Sequence, residues 1–138
     1  MSDNLKIWNA VKQVPPSFLK PISFGKLKGK SDINPQWRIM AMTQAFGVVG
    51  HGWTYRIVRT WNESAPDGSV MCFAEVAVKT KIDGEWGQEF GGIGGSNSIE
   101  KNKNGLVAND DGYKMAVTDA LSVAFKAVGI AADIYMGN

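Results

Sequence analysis

The chain has 138 residues, 44% hydrophobic and 20% charged, which fits one globular domain with an ordinary core. A single cysteine, Cys72, and a single histidine, His51, exclude an internal disulfide framework and a His/Cys metal cage, so no metal or cofactor is expected. No apolar run approaches the roughly 18 residues of a membrane helix, and the opening Met-Ser-Asp-Asn-Leu-Lys has no signal-like stretch, so the sequence reads as intracellular and without a membrane partner.

The formal net charge of +2 hides an asymmetry: residues 1–30 hold six lysines and one acid, whereas the remainder carries nine bases and twelve acids. The chain is read as one domain over 1–138, with a basic N-terminal segment at 1–34 and a core at 35–136. Lys26, Lys28 and Lys30 would capture a polyanion by Coulomb forces that salt screens, or protect an edge strand from pairing.

In chain order, Leu5, Ile7, Trp8, Val11 and Val14 have the spacing of a short helix, which Pro15-Pro16 ends. Residues 21–34 mix glycine, lysine and isolated apolar residues, as an irregular ribbon or edge strand does. Asn34-Pro35 reads as the cap and first position of a helix that carries Trp37, Met40, Met42 and Phe46 and stops at Gly47. From Gly52 the period changes to two, which predicts a strand with Trp53, Tyr55, Ile57, Arg59 and Trp61 on one face. Thr54, Arg56, Val58 and Thr60 take the other. Pro66-Asp67-Gly68 turns the chain into a second strand over 70–82, whose apolar face is Val70, Cys72, Ala74, Val76 and Val78. Asp83-Gly84 suits a two-residue hairpin, because both positions tolerate positive φ. A third strand through Trp86, Gln88 and Phe90 is expected to give way to the glycines at 91–95, with a mobile loop over 97–109. Asp110-Asp111 then open a helix over 112–128, its core stripe being Tyr113, Ala116, Val117, Ala120, Leu121, Ala124 and Val128. Gly129 ends it, and 130–136 adds a further turn. The fold class is therefore α+β, a three-stranded antiparallel sheet packed by helices.

The glycine cluster does not open into a helix, as a dinucleotide fingerprint would, nor end in Gly-Lys-Ser/Thr, so its glycines serve close backbone approach or mobility. His51 has no identifiable catalytic partner, and Cys72 sits mid-strand on an apolar face as a buried thiol. Glu75, Glu85, Glu89 and Asp110-Asp111 would serve a metal-dependent nuclease only if they converged, which spacing does not establish. The protein is therefore not expected to be an enzyme. Bases interleaved with aromatics, among them Trp37-Arg38, Arg56, Arg59, Trp61, Lys79, Lys81 and Trp86, are what a single-strand nucleic-acid binder uses for phosphates and bases.

Phe46-Gly47, His51-Gly52-Trp53, the strand pair closed by Asp83-Gly84, Gly91-Gly92-Ile93-Gly94 and the run Lys114 to Leu121 with Phe125-Lys126 and Gly129 occur in an order that resembles the single-strand annealing proteins of the Rad fifty-two superfamily. The pattern is most similar to the Sak-type annealing proteins of bacteriophages, over about residues 20–136. The resemblance implies a β-β-β-α core, protomers joined edge to edge into a ring or helical homo-oligomer, and ATP-independent binding and annealing of single-stranded DNA in recombination. It also implies phage origin, work in the cytoplasm of a bacterial host, and a host single-strand-binding protein or phage exonuclease as further partners. Lys126 matches a basic position of the family's long helix, and Lys114 matches its motif. Two other positions, basic in the eukaryotic relatives, fall on Ser122 and Val123, and the family's arginine near the start of the Phe-Gly helix falls on Trp37. Either Arg38 substitutes for that arginine, or Trp37 offers an apolar surface to a base. Thr118 and Asp119 are expected to serve the fold. Beyond the matched motif, Arg56, Lys79 and Lys81 would line one groove wall, and Lys101 and Lys103 a weaker surface on the loop. The alternative reading is a passive single-strand-binding or protein-interaction adaptor of the same fold.

Overall fold

The computed structural model describes residues 3–25 and 27–137. Its elements are α1 (Lys6–Val11), a 3-10 turn (Pro16–Phe18), β1 (Leu19–Pro21), β2 (Ser31–Ile33), α2 (Pro35–Phe46), β3 (Trp53–Ser64), β4 (Val70–Ile82), β5 (Glu85–Trp86), β6 (Phe90–Asn102), β7 (Gly105–Ala108), α3 (Gly112–Lys126) and α4 (Ala132–Tyr135). Local chemistry sets several boundaries where the sequence predicts them. Asn34 Oδ1 accepts the Gln36 amide at 2.9 Å to cap α2. Asp83 and Gly84 adopt φ of 52° and 82°, the left-handed pair that a tight hairpin between β4 and β5 requires.

β3, β4, β6 and β7 form an antiparallel sheet in that order, with β5 paired to β4 as a fifth strand, while β1 and β2 make a separate ribbon. The domain is thus α+β, but the sheet is larger than the three strands expected. The glycine run does not break the sheet: it lies inside β6, and residues 97–102 and 105–108 are the rest of β6 and β7, joined by a two-residue turn, rather than a loop. The reason is α3. A Cβ on Gly92 would stand 2.3 Å from Ala120 O, and one on Gly94 would stand 2.2 Å from Ala120 N. Gly112, Ala116, Ala120 and Ala124 recur every four residues as a buried stripe, the three alanines against these glycines and Gly112 against Asn97 and Ser98. Glycine weakens a strand on its own, and here that cost is offset by the packing of a helix backbone almost directly on a strand backbone. Asp119 Oδ2 accepts the Gly95 amide at 3.0 Å and clips the two together.

A second correction concerns β3. Register shifts between Ile57 and Arg59, so Tyr55 and Ile57 pair with Val78 and Val76, whereas Arg59 and Trp61 pair with Glu75 and Phe73. Cross-strand partners share a face, so the extra residue, Val58, moves Arg59 and Trp61 to the side away from α3. Two-residue alternation cannot announce such a bulge.

The core lies between α2, α3 and β4. Trp53, Phe125, Met42, Ile130, Val76, Val78 and Cys72 are its largest fully buried side chains. Trp53 meets Phe125 edge to face at 5.6 Å. Phe125 belongs to the buried stripe, while Tyr113 is exposed and donates its hydroxyl to Asn62 Oδ1 at 2.7 Å. After α3 the chain turns sharply through Gly129 at φ 106° and Ala131 at φ 62°. The Val11 and Lys12 carbonyls each accept an amide of the corner, from Ala131 and Asp133, at 3.0 Å. No helix among the described residues is long and apolar enough to cross a membrane.

Candidate nucleic-acid interface

α3 carries two stripes on opposite sides. The glycine-alanine stripe packs on the sheet, and Lys114, Thr118, Ser122 and Lys126, again four apart, face outward. Twelve residues of helix place the two lysines about 18 Å apart along the axis. The hydroxyls between them are fixed: Thr118 Oγ1 donates to the Lys114 carbonyl and Ser122 Oγ to the Thr118 carbonyl, both at 3.0 Å. The Lys114 ammonium lies 3.3 Å from an Asp111 carboxylate oxygen in an exposed pair, which water screens.

α2 brings a cation to the middle of this stripe. Arg38 Nη1 donates to Ser122 Oγ at 3.1 Å and Nη2 to the Tyr135 hydroxyl at 2.7 Å. Arg38 Nε is buried without a hydrogen-bond partner, and no carboxylate among the described residues forms an ion pair with this guanidinium. Lys126 Nζ stands 4.5 Å from the centroid of the same Tyr135 ring. Arg38, Tyr135 and Lys126 thus form one cluster. Arg38 also lines a groove between α2 and α3, together with Lys114, Met115 and three carboxylates, Asp32, Asp111 and Asp119. Arg38 therefore stands over Ser122 of the outward stripe. Its neighbour Trp37 does not serve a ligand: it is 4% exposed, in the core, so the expectation of an apolar surface for a base is corrected. Adjacent residues of a helix point about 100° apart, which sends Trp37 inward and Arg38 to the groove.

The other predicted bases lie elsewhere. Arg56, Lys79 and Lys81 do share a wall, on the open face of the sheet, and α3 with its buried stripe lies between them and the outward stripe. Arg56 makes a bidentate pair with Glu89, at 2.7 and 3.0 Å. That hydrogen bonding, with the opposite charge, holds the Glu89 carboxyl below its ordinary range and raises the Arg56 guanidinium further. Lys79 and Lys81 sit 5.7 and 5.6 Å from the Trp86 ring. Further along the same face, Arg59 bonds Glu75 at 2.8 Å and lies 4.5 Å over Trp61, which stacks on Phe73 at 5.5 Å. Lys101 lies in β6 and Lys103 in the β6–β7 turn, so they stand on a hairpin rather than a loop before α3. Lys28 and Lys30 are exposed between β1 and β2, and Lys26 lies outside the described residues.

His51 is exposed in the turn before β3, Cys72 is fully buried, and no three His, Cys, Asp or Glu side chains gather among the described residues as a metal site needs. No protein-family model and no curated protein matches the chain. The residue that sequence reasoning passed over is Tyr135, 97 positions from Arg38. No local pattern links them, because the corner at Gly129 and Ala131 brings them together.

Proposed function

We propose that the protein binds single-stranded DNA and anneals complementary strands without nucleotide hydrolysis, working as a homo-oligomer in recombination. The observation that carries this reading is the Arg38 guanidinium, held over the outward stripe of α3 by neutral partners only and flanked by Lys126. A cation without a carboxylate is free to neutralise a phosphate, and charge-assisted contacts of this kind dominate affinity for nucleic acid. The pattern of motifs from Phe46-Gly47 to Gly129 supports the same reading, including a phage origin and the cytoplasm of a bacterial host. β3 supports assembly: it is twelve residues long, sits at the sheet's edge and, among the described strands, pairs with β4 alone, leaving a row of backbone groups beyond the Val49–Trp53 bridge for another chain. On this reading the strand passes over the Arg38–Tyr135–Lys126 cluster, away from the carboxylates Asp32, Asp111 and Asp119, and the open-face bases Arg56, Lys79 and Lys81 contribute less.

The test is the pairing rate of two complementary fluorescent oligonucleotides without ATP or magnesium, with the protein titrated to saturation and its mass followed by light scattering. Acceleration well above the spontaneous rate, lost in Arg38→Gln and kept in Lys79→Ala/Lys81→Ala, is the expected result. Binding without acceleration would instead make the protein a coating or adaptor domain. Absence of binding would overturn the reading.

A further inference from the structure

We infer that Tyr135 is a nucleobase-stacking residue, placed by the α3–α4 corner between the two cations Arg38 and Lys126; the inference rests on the single-strand reading above. The corner is built for this placement. Gly129 holds a left-handed conformation, and a Cβ there would stand 2.6 Å from the Trp8 ring, so only glycine fits. Ala131 takes left-handed φ although it carries a Cβ, and Val11 and Lys12 tie the next turn to the end of α1. These constraints fix a four-residue helix that could not hold itself in water. Its last residue, Tyr135, is 44% exposed, yet it touches both Arg38 and Lys126.

The chemistry of the pair decides what the ring can do. A phosphate reached by both the Arg38 guanidinium and the Lys126 ammonium straddles Tyr135, so the nucleobase next to that phosphate is carried onto the phenol ring. Lys126 then trades a weak exposed contact with the ring for a phosphate oxygen, which leaves that ring face to the base. Every base has a flat face, so the contact is indifferent to sequence, as strand annealing requires. The Tyr135 hydroxyl meanwhile orients Arg38, a separate role that the experiment must subtract.

Tyr135→Phe and Tyr135→Leu both lose the hydroxyl, and only the phenylalanine keeps a ring. Each full-length variant and the wild type is titrated with oligo(dT) and with an abasic oligomer of the same length and charge at fixed salt. Stacking predicts that wild type and Tyr135→Phe share the same preference for oligo(dT), whereas Tyr135→Leu loses about five-fold or more of that preference. Its affinity for the abasic strand should equal that of Tyr135→Phe. Photocrosslinking of 5-iodouracil in bound wild type is expected at Tyr135. A preference unchanged in Tyr135→Leu, or equal losses on both strands, would overturn stacking and leave the single-strand reading standing. A wild type that binds neither strand would overturn both.

Discussion

Gly94→Ala should cost far more than glycine-to-alanine changes usually do. The added Cβ meets only backbone: Ala120 N at 2.2 Å, the Asp119 carbonyl carbon at 2.6 Å and Ala116 O at 2.7 Å. No rotamer relieves such a contact, so α3 must lift by roughly 1 Å to restore ordinary van der Waals spacing. A gap of that size forfeits a quarter to a half of the dispersion along the interface, and with the overpacking itself the loss is about 3 kcal/mol or more. With a urea slope of about 2 kcal/mol/M, the unfolding midpoint falls by about 1.5 M. Gly95→Ala provides the contrast, because its Cβ would meet the Phe73 ring at 2.7 Å, a side chain that can be trimmed. Phe73→Leu should therefore rescue much of the Gly95→Ala loss, while Ala120→Gly should not rescue Gly94→Ala, where the obstacle is main chain. Gly87→Ala, with its nearest atom at 3.6 Å, is the control and should stay within about 1 kcal/mol of wild type. A Gly94→Ala midpoint within about 0.3 M of wild type would refute the argument that β6 is glycine-rich because α3 lies on it.

In Lys126→Ala, single-strand affinity should fall modestly and the slope of log K against log salt should become shallower by roughly 0.7 for one lost phosphate contact; an unchanged slope removes Lys126 from the interface. Glu89 should titrate below the ordinary glutamate range by carbon-13 NMR, and Arg56→Gln should return it towards that range. The sign follows from linkage: with the folded value depressed, the pair's stabilisation is present above the unfolded glutamate pKa and fades as pH falls through the folded value. Because the two side chains are 60% and 38% exposed, the titration and not the melting temperature is the readout. Cys72, buried beneath α3, should resist a thiol reagent in native buffer and react at once in denaturant; fast native labelling would mean that α3 opens readily. Gly129→Ala should destabilise the α3–α4 corner by at least 1 kcal/mol, approximately, as measured by urea unfolding, and should weaken single-strand binding with it.

Much of the molecule could be read from residues in line. The cap at Asn34-Pro35, the stop at Gly47, the hairpin at Asp83-Gly84 and the alternation of Cys72, Ala74, Val76 and Val78 are local, because each depends on the conformational limits of a few adjacent residues. The alanine stripe of α3 is local in the same sense, because Ala116, Ala120 and Ala124 recur at helical spacing. What local pattern misread was the glycine run of β6, since glycine in isolation argues against a strand and only the helix lying on it reverses that preference. The bulge at Val58 likewise emerges from how β3 meets β4. The cluster around Arg38 is the clearest case. Arg38, Ser122 and Tyr135 come from three separate helices, and their encounter depends on how α2 packs against α3 and how Gly129 and Ala131 turn the chain. The same packing separated Arg56, Lys79 and Lys81 from Lys126, because a sheet has two faces and α3 covers one of them. Charge and aromaticity belong to composition, but which charges act together is set by the layers that hold them apart or bring them within hydrogen-bonding distance.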